Sequence, residues 1–302
     1  MENWQEKFGL VTTRRKAASD TEFWSNRAAF HFLTREVAMP AEKWTALKPW
    51  EKHTARAAAR ALASKKAVVA GRAAARLLGI GVHAWNDPVV DLLLPEGKTG
   101  PARSLWPPGV VFRKHYLPLT QIYRVHGLRV TNVTRTLRDI TCWYGVLEGV
   151  VAMDAARKKW PELTKGMLWE GMIDGPRYKG KADVQNALEL SVTNSGSPKE
   201  SHARYLLLTS DIVLESLELQ AEIIDPETGE TYYVDFLING WLVLEIDGDV
   251  KYDGVTYGRT DATIRAERQR EKAIQNTGKV MRRTDDPAEA VSLVRAALTR
   301  AA

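Results

Sequence analysis

The chain has 302 residues, enough for roughly two domains, and 44% of them are hydrophobic, so each domain can bury a core. Lys and Arg exceed Asp and Glu by six and the pI is about 9.3, a surplus that favours a polyanionic partner. The single cysteine, Cys142, excludes an internal disulfide and a cysteine-rich zinc site. The start, Met1-Glu-Asn-Trp-Gln-Glu-Lys7, has no apolar signal-peptide core, and no apolar run approaches the roughly 18 residues of a membrane span. A soluble, cytoplasmic protein without a membrane partner is expected.

Residues 1–48 are mixed, with a basic triplet at Arg14-Arg15-Lys16. Ala57, Ala58, Ala61, Leu62 and Ala63 fit one helix, and Ala73 to Leu78 fit a second that stops at Gly79. Val89 to Leu94 reads as a short buried strand, Val110 to His115 as another and Leu128 to Val130 as a third. Thr134 is the expected N-cap of a long helical region running through Trp143, Val150, Ala155 and Lys159. Residues 173–182, with Gly175, Pro176 and Gly180, read as a loop, and residues 191–198 as a linker.

Beyond it a helix is expected from Pro198 to Thr209, with Ser197 as N-cap and Pro198 at the first helical position. Leu217 to Ile224 reads as extended, and a hairpin follows around Asn239-Gly240. A charged helix from about Thr260 to Thr277 stops at Gly278, a strand spans Val280 to Arg283, and a last helix runs from Pro287 to Leu298. Helix, three strands, helix, strand, helix predicts a small mixed sheet flanked by helices, and hence an α/β (α+β) protein.

The hairpin carries the chemistry. Acids stand at the ends of two apolar strands, and buried carboxylates need a positive partner. Three converging acids suit a hard divalent cation held by oxygen. Glu245 and Asp247 are two apart and share a face. Asp235 joins them only if the turn adds a residue. A two-residue Asn-Gly turn pairs Asp235 with Leu244 and turns it away, whereas a three-residue loop ending in a left-handed Gly240, with a bulge, brings all three to one side, so a metal site predicts that bulge. In that geometry Asp235, Glu245 and the Ile246 carbonyl could hold Mg²⁺ (or Mn²⁺), with Lys251 steadying the developing charge. A solvated hairpin end with ordinary surface acids is the plainer alternative. From Arg259 to Arg283 there are eight basic residues and three acids. Arg265, Arg268 and Lys272 share a helix face and would suit a phosphate backbone.

Residues 197–298 resemble the very-short-patch-repair-like endonuclease domains of the PD-(D/E)XK superfamily. The likeness lies in Ser197-Pro-Lys-Glu200-Ser-His-Ala-Arg204, Gln220, Val234-Asp235-Phe236 and Leu244-Glu245-Ile-Asp247-Gly248, then Arg270-Glu271, Gly278 and Arg282-Arg283. The resemblance implies a restriction-endonuclease-like fold over 197–302. It makes Asp235 and Glu245 the metal ligands, Glu200 an accessory catalytic acid, and Gln220 a lining residue. Asp247 stands where many members place a lysine, and Lys251 is the candidate replacement. Arg282 and Arg283 join the helix stripe as nucleic-acid contacts. Residues 43–190 resemble the C-terminal part of AbiEi-like proteins, regulators of bacterial toxin–antitoxin systems, through Ala70-Gly-Arg-Ala-Ala-Ala-Arg-Leu-Leu-Gly79 and Gly127-Leu-Arg-Val-Thr131-Asn-Val-Thr-Arg135-Thr136-Leu-Arg-Asp139. Residues 1–190 are then a mostly helical α+β regulatory or DNA-contacting domain, with a degenerate winged helix at 1–42.

Together the two resemblances imply a Mg²⁺-dependent DNA endonuclease or nickase in repair or phage defence, with DNA, a toxin or defence protein, and a second copy of the chain as partners. A non-catalytic DNA-binding antitoxin or repressor is the alternative, and RNA as substrate stays open. His83, His115, His126 and His202 show no paired metal spacing. Arg135 and Asp139, four apart, suit an intrahelical salt bridge.

Overall fold

The computed structural model describes residues 1–13, 25–84, 86–247 and 261–301. The chain divides into two compact units, Met1–Ser191 and Val192–Ala302, both mixing helices with sheet. The basic triplet at 14–16 lies outside the described residues.

In the first unit, α1 (Trp4–Phe8) and β1 (Val11–Thr12) precede β2 (Phe30–Phe32) and β3 (Val37–Pro40), which form an antiparallel sheet in the order β1-β3-β2. Then come α2 (Ala41–Ala46), α3 (Pro49–Ala63), β4 (Val68–Ala70), α4 (Gly71–Leu78), β5 (Val90–Leu93), β6 (Val110–Phe112), β7 (Ile122–Val125) and β8 (Leu128–Thr131). These strands make a five-stranded mixed sheet, β6-β5-β4-β8-β7. Helices α5 (Val133–Tyr144), α6 (Val146–Lys159), α7 (Lys165–Ile173) and α8 (Lys181–Leu190) complete the unit. Alanine makes α3 and α4 slim, and Ala55, Ala57, Ala58, Ala59, Ala73, Ala74 and Ala75 are all fully buried.

Several expectations need correcting here. The N-cap of α5 is Asn132, whose side chain accepts from the Arg135 amide at 2.9 Å, while the Thr134 hydroxyl donates to that same Asn132 oxygen at 3.2 Å. Asn competes better for a cap than Thr. The long helix is two helices, broken at Gly145, whose φ of +94° a side chain would resist. The β6 strand is shorter than Val110–His115, and β4 and β7 were not expected. Arg135 and Asp139 form the intrahelical pair at 2.8 Å, and both are buried.

In the second unit the order is α9 (Pro198–Thr209), β9 (Leu217–Ile224), β10 (Thr231–Ile238), β11 (Leu242–Ile246), α10 (Asp261–Asn276), β12 (Val280–Thr284) and α11 (Ala290–Ala301), the last entered through a 3₁₀ turn at Pro287–Glu289. The Ser197 side chain accepts from the Glu200 amide and Pro198 occupies the first turn. Gly278, at φ +78°, lies just past the end of α10. The sheet order is β12-β11-β10-β9, antiparallel except for the parallel β11–β12 pair. Phe236, Ile238, Leu242 and Leu244 pack with Ala203 and Leu207 of α9 and Val294 of α11. Leu237, Val243, Val234 and Ala221 pack with Ile274 of α10 on the other side.

Candidate functional site

The site starts at the hairpin turn. Ile238 pairs with Leu242, so the loop is Asn239-Gly240-Trp241, with Asn239 at φ +50° and Gly240 at φ +72°. It has the three-residue length that a converging site requires, but Gly240 sits at its centre and Trp241, not Gly240, is the last residue. The Trp241 amide still closes a turn onto the Ile238 carbonyl at 3.2 Å. Phe236 therefore pairs with Leu244, which sets Asp235 opposite Glu245.

The sheet then forks. The β10–β11 pairing ends at Phe236 and Leu244, while β10 continues beside β9 to Thr231 and β11 continues beside β12 to Ile246. The Asp235 carboxylate fills the gap, accepting from the Ile246 amide at 2.7 Å. Opposite it on β9, Gln220 has φ +51°, a conformation an L-residue rarely adopts. Side chains change face at this level: Leu217 and Leu219 pack on the α9 side, Ala221 and Ile223 on the α10 side. The break turns Gln220 so that its amide reaches Glu200 at 2.8 Å and Asp235 at 3.5 Å.

Glu200 comes from the first turn of α9. Its carboxylate also accepts from the Gly196 amide at 2.7 Å. A Cβ on Gly196 would stand 2.5 Å from a Glu200 oxygen, so only glycine allows this approach. Glu245 is bound by Arg270 of α10 at 2.7 Å, and the same guanidinium nitrogen donates to the Tyr233 carbonyl at 2.7 Å. Arg283 on β12 lies 2.7 Å from Glu267 and 3.7 Å from Asp247. Lys199 reaches the backbone carbonyls of Asp285 at 2.9 Å and Asp247 at 3.5 Å.

Among the described residues the cluster holds five carboxylates (Glu200, Asp235, Glu245, Asp247, Glu267) against two guanidiniums and one ammonium. Burial raises the pKa of Glu200, Asp235 and Glu245, and like charge adds to it: Asp235 acts on both glutamates, and Asp247 on Asp235. Burial opposes the charge on Arg283, but Glu267, Asp247 and Glu245 together hold its pKa above the usual value. The surplus of negative charge is what a cation would relieve. Oε2 of Glu245 accepts no hydrogen bond among the described residues. No group of three or more His, Cys, Asp and Glu side chains among the described residues is arranged to hold a metal ion. What remains is one or two carboxylates, a donor set that only an ion keeping most of its water, such as Mg²⁺, would accept.

Of the remaining expected site residues, Arg265, Arg268 and Lys272 are exposed on α10. Arg282 is half-buried and donates to its neighbour's carbonyl, Met281 O, at 2.9 Å. Arg283 is engaged with acids inside the unit. Lys251 lies outside the described residues, as do Gly248 and Tyr252. Sequence reasoning missed Gly196, placed in a linker, and the pairing of Arg270 with Glu245. An arginine one helix later than an acidic strand end was the only available signal. Comparison of the chain with protein-family models and with curated proteins gives no match.

Proposed function

We propose that the second unit is a Mg²⁺-dependent (or Mn²⁺-dependent) DNA endonuclease or nickase acting in repair or phage defence. One observation carries this reading: the turn register and the forked sheet bring Asp235 and Glu245 together in a carboxylate-rich, partly buried cluster. Such a cluster is costly to keep unless a cation uses it. The resemblance of residues 197–298 to repair-type endonucleases supports it. When bound, the ion supplies charge neutralisation at a phosphodiester and a more acidic water.

The residues divide the work. Asp235 and Glu245 offer oxygens to the ion. Gln220 and Gly196 orient Glu200 toward Asp235. Arg270 holds Glu245 in place and Arg283 holds Asp247. Lys251 is assigned the developing charge on the phosphate. Arg265, Arg268 and Lys272 form the exposed stripe that follows the backbone, so binding weakens with salt. Cleavage of supercoiled plasmid with Mg²⁺ or Mn²⁺ tests this: wild type nicks and Asp235→Ala does not. If neither protein cuts while both retard DNA in a gel, the regulator reading replaces it. That reading is favoured by one feature, the direct neutralisation of Glu245 by Arg270, which lets the fold persist without an ion.

A further inference from the structure

We propose that the first unit binds the phosphate group of a nucleotide in a cavity of about 220 Å³ between α5, the segment after β6 and the loop joining α7 to α8. The inner wall is one face of α5, where Arg135, Arg138 and Asp139 project at helical spacing. The outer wall is the loop at Arg177, Tyr178 and Lys179. Asp139 is the one carboxylate lining the cavity, and Arg135 already binds it at 2.8 Å. Arg138, Arg177 and Lys179 are left in excess.

Arg138 is the informative residue. It is only 6% exposed, yet has no ion pair among the described residues. One of its nitrogens donates to the carbonyls of Met172 at 3.2 Å and Asp174 at 3.3 Å, and its guanidinium lies over the Tyr178 ring at 4.6 Å. Burying a guanidinium without a counter-ion is expensive. Burial and then Arg135 lower its pKa, which Asp139 only partly offsets, and burial with Arg135, Arg113 and Arg138 lowers that of His115 beside it. A second group lacks any partner: the Tyr178 hydroxyl is buried and has no hydrogen-bond partner among the described residues.

An anion with several acceptor oxygens answers both groups at once. Phosphate is well suited, because a guanidinium and a hydroxyl can each reach a different oxygen. Trp143 on the wall and the half-exposed Tyr116 at the rim give an attached base or sugar something to stack on. The cavity is too small for duplex DNA, so the occupant is a single phosphate with its adjoining nucleoside. This site is independent of the acidic cluster in the second unit.

Calorimetric titration of the full chain in EDTA tests it with three probes: inorganic phosphate, a 5′-phosphorylated dinucleotide and its 5′-hydroxyl counterpart. The expected result is binding of the 5′-phosphorylated probe at least tenfold tighter than the 5′-hydroxyl one. An Arg177→Ala/Lys179→Ala variant should weaken it at least tenfold, and Tyr178→Phe about threefold. Both variants leave the Arg135–Asp139 pair intact, so the unit stays folded, which circular dichroism checks. Binding of inorganic phosphate with equal loss in the variants, but no gain from the nucleoside, supports the anion site and assigns it to free phosphate. No heat with any probe, or unchanged affinity in the variants, overturns the proposal.

Discussion

Replacing Asp235 by Asn should stabilise the second unit at neutral pH while removing the nicking proposed for it. The Asp235 carboxylate sits among Glu200, Glu245 and Asp247, with Arg270 as its nearby cation. Two like charges about 5 Å apart repel by roughly 3 kcal/mol at an effective dielectric of 20. Asp235 is half-buried, so solvent screens much of this, leaving about 1–2 kcal/mol. Asn keeps an oxygen for the Ile246 amide, so the fork stays closed. For a unit of this size 1–2 kcal/mol is about 5–10 °C in Tm. The pH dependence has a definite sign. The pKa values of Glu200, Asp235 and Glu245 are raised in the fold, so their contribution is most favourable when they are protonated and is lost as pH rises through the folded values. The wild type should therefore gain stability relative to D235N as pH falls from neutral toward the acid range, and the gap should close. Scanning calorimetry of both proteins between pH 4.5 and pH 7.5, at about half-unit steps, measures this. Adding Mg²⁺ at pH 7.5 should raise the wild-type transition more than the variant's. An Asp235→Asn variant that melts lower than wild type at pH 7.5 would refute the reasoning, because the carboxylate would then be a net stabiliser.

Gly196→Ala forces a methyl onto the Glu200 carboxylate, so nicking should fall at least tenfold while Tm drops by only a few degrees; unchanged nicking removes Glu200 from the site. Gln220→Gly relieves the left-handed backbone, worth about 1 kcal/mol, but deletes the amide joining Glu200 to Asp235. Urea denaturation should show it no less stable than wild type, with activity reduced. Arg135→Ala leaves Asp139 buried without its cation, and the first unit should lose about 3–5 kcal/mol in a denaturant titration. Burial, with Asp139 nearby, pushes the Cys142 thiol up to about 11. At pH 7.5 a thiol reagent should label it far more slowly than free cysteine, and rapid labelling would mean the pocket around it opens readily.

The second unit was nearly all legible because its boundaries rest on local chemistry. Ser197-Pro198 starts a helix, Gly278 stops one, and Asn239-Gly240 turns the chain. Counting residues across that turn left two parities for Asp235 and Glu245, and the pairing of Ile238 with Leu242 selects the one that sets them opposite each other. What could not be read was set by tertiary contacts. Gln220 looks like any strand residue until Glu200 and Asp235 recruit its amide. Gly196 looks like linker until the Glu200 carboxylate packs on it. In the first unit, β4 is three apolar residues between two alanine-rich helices, with no alternation to mark it. β7 carries half-exposed and exposed residues, so its pairing with β8 depends on the tight turn at His126-Gly127, where both residues have positive φ. Asn132 and Thr134 are both good caps, and only the direction of the chain leaving β8 chooses between them.

The forked sheet also orders events in time. Asp235 and Glu245 are joined by a short hairpin, which closes in microseconds. Their counter-charges arrive later in the chain: Arg270 is on α10 and Arg283 on β12, which pairs with β11 in parallel and so needs the whole intervening crossover. At about 5–20 residues per second, a ribosome exposes the acids seconds before either guanidinium emerges. The nascent unit thus carries a repelling centre whose two guanidiniums arrive only with α10 and β12. Its completion is an electrostatic closure, drawn in by opposite charge. Refolding of the chain should accordingly slow as salt is added, while the preceding hairpin step keeps its rate.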